Sequence, residues 1–190
     1  MLYGAGDSEG EDAIGFPQTL LDLHAALDYI DSAYQYEDIF LFGHSRGGHA
    51  VCCVAAQRED VDAVVSVNAP NSAMDAVMAS SSGAIGPIAY GNWPFLWLYQ
   101  AMLFGGKTAS LEASRCISQV SVPVLILQAR DDTTVPVESY SIYGHREDVD
   151  NPNVRFILTD GGHTSVLFGE NQETANEDLL NTVKTFIEER

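Results

Sequence analysis

Apolar positions recur along this chain in two rhythms. Leu20, Leu23, Leu27, Ile30 and Tyr34 follow one another in steps of three and four, which predicts an amphipathic helix opened near Pro17. Short, mainly apolar runs at 39–42, 63–67, 123–127 and 154–158 predict buried strands. Helical patterns separate them: a small-residue stretch from Ala50 to about Arg58, a segment carrying Tyr140 and Tyr143, and a final helix. That last helix has Leu179, Leu180, Val183, Phe186 and Ile187 on one face, with Thr174 and Glu177 at capping-box spacing before it. Strands alternating with helices predict an α/β chain with a mostly parallel sheet flanked by helices. Met1-Leu2-Tyr3 reads as the tail of a further strand, and residues 4–10 as a glycine-rich loop.

Residues from about 71 to 117 break the alternation. They are rich in Ala, Ser, Gly and Met, then in aromatics (Trp93, Phe95, Trp97, Tyr99, Phe104). Two readings stand: a helical lid or cap inserted over a site, or a pair of helices packed on the sheet. As a lid, its aromatics would line an acyl or aryl pocket. The whole chain, 1–190, reads as one domain with no repeats or linkers.

Composition narrows the function. The 9 basic and 27 acidic residues leave a net charge of −18, which argues against nucleic acid or an anionic membrane as partner and disfavours strongly anionic substrates. Cys52, Cys53 and Cys116 have neither metal-ligand nor disulfide spacing and read as buried free thiols. The most apolar run, 93–104, is too short to span a bilayer. Reduced cysteines and the absence of a visible secretory signal make the cytoplasm the expected location.

The candidate chemistry starts at Gly43-His44-Ser45-Arg46-Gly47, a G-x-S-x-G between a strand and a helix. That context is the one a nucleophile elbow requires. Gly43 and Gly47 lack the Cβ that would clash where the chain doubles back, so Ser45 can adopt a strained conformation with its Oγ exposed. The backbone N–H of Arg46 can receive developing negative charge, while its guanidinium is expected in a structural ion pair. Open parallel sheets place their sites beyond the carboxyl ends of strands. Ser45, Asp132 and His163 each stand just past such an end. A serine hydroxyl needs a base that titrates near neutrality, and a carboxylate behind the imidazole fixes its tautomer. Asp131 competes with Asp132 for that last role. His24 and His145 read as solvated or core-edge residues, His49 as packed in the helix, and His44 as a possible pocket wall. Gly4-Ala5-Gly6 lacks the spacing of a dinucleotide fingerprint.

Gly43-His44-Ser45-Arg46-Gly47-Gly48, Asp132-Thr133-Thr134-Val135-Pro136 and Gly162-His163 resemble the three signature loops of the α/β-hydrolase superfamily. The stretch 110–135 resembles the approach to the acid loop in small esterases related to cinnamoyl esterases, dienelactone hydrolases and prolyl oligopeptidase catalytic domains. The resemblance implies an α/β-hydrolase fold and a Ser45-His163-Asp132 hydrolase of carboxylic esters, with the Arg46 N–H in the oxyanion hole and no cofactor or metal. It favours Asp132 over Asp131, because Asp132 stands three residues before Val135-Pro136. Residues 4–10 resemble the family's R-G-H-G-x-S-x-G loop, with Ala5 replacing its histidine.

In the family that loop follows the fourth strand. The resemblance therefore implies that three strands, a helix and half of the oxyanion hole would precede residue 1, so the chain is expected to be N-terminally truncated. The elbow strand would then have an open edge, a route to homo-oligomers. Three functions follow: an ester hydrolase acting through an acyl-enzyme, a hydrolase-fold remnant or interaction module impaired by the missing donor, and an amidase or peptidase with the same triad. A small-molecule acyl ester is the expected partner of the first.

Overall fold

Val64 and Val65 are neighbours whose side chains leave opposite faces of one strand, and both are buried. That needs a sheet covered on both sides. The computed structural model describes residues 7–8, 15–86, 88–168 and 174–189. It contains four parallel strands, β1 (Phe40–His44), β2 (Ala63–Val67), β3 (Val124–Ala129) and β4 (Val154–Thr159), in spatial order β1-β2-β3-β4. The helices are α1 (Gln18–Ala33), α2 (Arg46–Ala55), α3 (Ala73–Ile85), α4 (Ile88–Phe104), α5 (Gly106–Ala109), α6 (Ala113–Ile117), α7 (Val137–Tyr140) and α8 (Glu177–Glu188).

The alternation of strand side chains divides the core in two. Leu41, Val64, Val124 and Ile126 meet Leu20 and Leu27 of α1, Val51 and Val54 of α2, and Ile117 of α6 on one face. Val65, Val67, Leu125 and Leu127 meet Val166 and, from α8, Leu179 and Phe186 on the other. This is the parallel sheet flanked by helices that the hydrophobic pattern predicts. Phe40 and Phe42 of β1 lie in register with Ala63 and Val65, on the α8 side of the sheet, yet remain 39% and 51% exposed. The proposed strand tail and glycine-rich loop at 1–10 lie, apart from Asp7 and Ser8, outside the described residues.

Several boundaries differ from the pattern for identifiable reasons. α2 ends at Ala55 rather than near Arg58, and the chain turns so that Arg58 binds Asp28 at 2.6 Å, Asp31 at 2.5 Å and Asp60 at 2.6 Å, tying α1 to the loop before β2. The helix expected around Tyr140 and Tyr143 is two short pieces, α7 and a 3-10 turn (Tyr143–Asp148). Between them Ser141 is extended and fully buried, bridging to Pro70, with its hydroxyl donating to Val137 O at 2.5 Å and accepting from Gly144 N at 3.0 Å. The cap of α8 is Asn176, whose Oδ1 accepts from Asp178 N at 3.0 Å and Leu179 N at 3.3 Å, so Thr174 is not the capping residue.

The segment between β2 and β3 combines features of both sequence readings. α6 is packed into the core through Ala113, Ser114, Cys116 and Ile117, and α3 buries Ala73, Met74 and Met78. α4 is inverted: Gln100 is buried while Tyr90, Phe95, Tyr99 and Met102 are exposed. Among the described residues no helix is long and apolar enough to cross a membrane.

Candidate active site

β1 runs straight into α2 with one residue between them, and that residue, Ser45, takes φ 54° and ψ −119°. Few non-glycine residues occupy this region, and such strain persists only where surrounding contacts impose it. Here the contacts are visible. The N–H of Ser45 donates to Val67 O at the end of β2 (2.8 Å), and its carbonyl accepts from His49 N inside α2 (3.2 Å). Gly43 is indispensable to this turn, since a Cβ there would meet Gly47 O at 2.3 Å. Gly47 is not: a Cβ on it would meet nothing within 4 Å. The second tight glycine is Gly48, whose Cβ would come within 2.7 Å of Ala69 Cβ and Ser66 Oγ.

The three loops bring their side chains together. His163 Nε2 lies 3.0 Å from Ser45 Oγ, and His163 Nδ1 lies 2.8 Å from Asp132 Oδ2. The carboxylate only accepts, so Nδ1 carries a proton toward it and the neutral ring presents Nε2 as acceptor to the Ser45 hydroxyl. Asp132 has no exposed side-chain surface. Its Oδ1 accepts from Thr134 N at 2.9 Å and Val135 N at 2.8 Å, and its Oδ2 also receives Gln128 Nε2 at 3.3 Å. Four donors thus replace the water a buried carboxylate loses. Asp131 is exposed, and it is Asp132 that pairs with His163 Nδ1. Gln128 escaped the sequence reading, although a polar residue inside the run Val-Leu-Ile-Leu-Gln-Ala is a signal that could have found it.

The other histidines separate cleanly. His49 is 1% exposed, edge-on to Phe16 at 5.4 Å, and burial pushes its imidazole down to about 4. His145 pairs with Asp148 at 3.2 Å near the surface, and His24 lies half-buried on α1. His44 is more than a wall: its Nε2 donates to the backbone O of His163 at 2.7 Å, and the two rings stand 4.7 Å apart. Burial lowers the His44 imidazole from its ordinary value. Arg46 makes a cation–π contact, 5.3 Å over the Phe16 ring, instead of the expected ion pair among the described residues.

A cavity of about 400 Å³ opens at Ser45. Its described lining comes from Phe16, Arg46, Pro70 and Val135 and from Ala76, Val77, Ser80 and Ser81 of α3. The aromatics of α4 are not among its described lining: α4 packs on α3, with Tyr90, Trp93, Phe95 and Tyr99 exposed. No group of acidic, histidine or cysteine side chains that could hold a metal ion occurs among the described residues.

Comparison with known proteins agrees with the fold. An esterase from Pyrococcus furiosus superposes with a TM-score of 0.70 at 20% identity, over 99% of this chain and 68% of that one. An α/β hydrolase from a Penicillium species gives 0.66 at 18% identity, over 98% of this chain and 76% of that one. The Butyrivibrio proteoclasticus protein Est1E, solved with ferulic acid bound, gives 0.64 at 20% identity, over 98% and 72%. The chain thus spans roughly two thirds to three quarters of these proteins' length. No curated protein matches it in sequence. The sequence profile described as serine aminopeptidase, S33, matches residues 2–100, more than half of the 190. A parallel sheet with a serine at the strained turn after β1, together with that match, makes this chain a member of the serine aminopeptidase S33 family of α/β hydrolases.

Proposed function

We propose that this protein is a serine hydrolase that cleaves carboxylic esters through an acyl-enzyme, with Ser45 as nucleophile, His163 as general base and acid, and Asp132 as the group that orients His163. The observation that carries the proposal is the unbroken relay from Ser45 Oγ to His163 Nε2 (3.0 Å) and from His163 Nδ1 to Asp132 Oδ2 (2.8 Å). His163 takes the hydroxyl proton as Ser45 Oγ bonds to the ester carbonyl carbon. The tetrahedral oxyanion finds the backbone N–H of Arg46 at the first position of α2, where the helix dipole also favours negative charge. Collapse breaks the carbon–oxygen bond to the alcohol, which leaves with the proton from His163. Water then adds to the acyl-enzyme with His163 again as base; the bond from the acyl carbon to Ser45 Oγ breaks, His163 returns the proton to Oγ, and the acid is released.

The cavity supports esters over the aminopeptidase substrates that the family's description names. Its described lining contains no carboxylate to receive a free amino group, and its one charged residue is the cation Arg46. Its size suits a small acyl or aryl group. Est1E carries ferulic acid, an aryl acid, so aryl esters are candidates beside short-chain ones. The test compares turnover of p-nitrophenyl acetate and methyl ferulate with that of an aminoacyl p-nitroanilide. Ester turnover that vanishes in Ser45→Ala, with the anilide inert, supports the proposal. Folded wild-type protein inert toward esters contradicts it.

A further inference from the structure

Two side chains from different strand ends donate to the same acceptor. His44 Nε2 reaches His163 O at 2.7 Å, and Asn68 Nδ2 reaches it at 2.8 Å. A carbonyl oxygen has two lone pairs, and here both are occupied by fixed side-chain donors. The roles are unambiguous, because the carbonyl can only accept. His44 must therefore carry a proton on Nε2.

Asn68 is built into the sheet more deeply than a loop residue. It is fully buried and holds φ +49°, a region that asparagine tolerates better than most residues. Its Oδ1 accepts from Ala129 N at 2.6 Å, which fixes which end of the amide is NH2, and that NH2 also reaches Gly162 O at 3.3 Å. Its own N–H donates to Leu127 O at 2.9 Å, while the preceding residue, Val67, receives the N–H of Ser45. Residues 67 and 68 therefore hold all three loops of the site: the serine turn, the end of β3 before Asp132, and the histidine loop. His44 adds a second tie, since it adjoins the nucleophile and grips the base.

We propose that Asn68 and His44 are positioning residues that clamp the backbone of His163 and so hold its imidazole in line between Ser45 and Asp132. The inference rests on the serine-hydrolase reading above for its kinetic consequence, but the clamp itself is a statement about geometry. His163 sits on a loop with its ring only partly enclosed, and without the clamp the ring can drift. A displacement of about 1 Å at a reacting centre costs on the order of a hundredfold in rate.

Asn68→Asp is the informative variant. It keeps the acceptor for Ala129 N and the shape of the side chain, and exchanges the donor for an oxygen facing two carbonyls. Expected is a loss of kcat of at least about tenfold on p-nitrophenyl acetate with KM changed less than about twofold. His44→Gln, whose amide can still donate, should retain most of the rate, and His44→Leu should lose it. The downfield proton resonance of the His163 Nδ1–H reports the same geometry without turnover. It should persist in wild type and His44→Gln and be lost in Asn68→Asp and His44→Leu. Wild-type kcat and resonance in Asn68→Asp would overturn the clamp, as would lowered thermal stability with an unaltered kcat. If wild type hydrolyses no ester, the resonance alone decides: its loss in the variants supports the clamp while the hydrolase reading fails, and its persistence overturns the clamp. Should Asn68→Asp not fold, equal behaviour of His44→Gln and His44→Leu would overturn it.

Discussion

A methyl group placed on Gly43 would stand 2.3 Å from the carbonyl oxygen of Gly47, well inside any permitted contact. The crossing of these two backbones makes the turn that presents Ser45. Gly43→Ala is expected to destabilise the protein by about 1–3 kcal/mol or to prevent folding, since backbone cannot swing aside as a flexible side chain can. Gly47→Ala places its methyl in open space inside the first turn of a helix. It should leave stability unchanged or raise it by a few tenths of a kcal/mol. Urea denaturation of the two variants beside wild type checks the contrast, and equal losses would refute it.

That contrast also marks what the sequence could reveal. The elbow, the four strands and the order Ser45, Asp132, His163 were legible because each rests on a local pattern: an apolar run, a glycine-bounded serine, a polar residue at a strand end. Gly43 and Gly47 looked equivalent in the motif, and only the crossing of the chain distinguishes them. Asn68 acts through partners far along the chain, 94 and 95 residues away in its bonds to Gly162 and His163. No short-range spacing announces such a bond. The aromatics of α4 left a lid and a packed helix pair both open for a related reason. Their type suggests a pocket, but which way a helix faces is decided by the helix it packs on, here α3.

His49 gives the fold an acid-sensitive element. Burial lowers its imidazole from 6.5 to about 4, so between those values the unfolded chain binds a proton that the folded chain does not. The stability it contributes is complete above about pH 6.5 and declines as pH falls toward 4, by about 1.4 kcal/mol per pH unit. Comparing unfolding free energies of wild type and His49→Leu at pH 7.5 and pH 5 isolates this residue from the many carboxylates. The variant's disadvantage at pH 7.5 should shrink at pH 5, and a disadvantage constant with pH would show that His49 does not titrate with unfolding.

The cap of α8 offers a local test. Asn176 satisfies two of the helix's first N–H groups. Asn176→Ala should cost about 1 kcal/mol, within the usual range of about 0.5–2 for such caps. α8 covers one face of the sheet through Leu179 and Phe186, so the loss should appear as a lower midpoint of the global transition. An unchanged midpoint would mean that α8 frays independently of the core.

The account depends most on Ser45 being an activated nucleophile, and a covalent probe reads that without assuming a substrate. Folded wild-type protein is treated with a fluorophosphonate at pH 8, and the adduct is located by intact mass and peptide mapping. The account predicts one adduct per chain, on Ser45, formed at least about a hundredfold more slowly in His163→Ala and absent in Ser45→Ala. No adduct on folded protein, or labelling at the same rate with His163 removed, would contradict it.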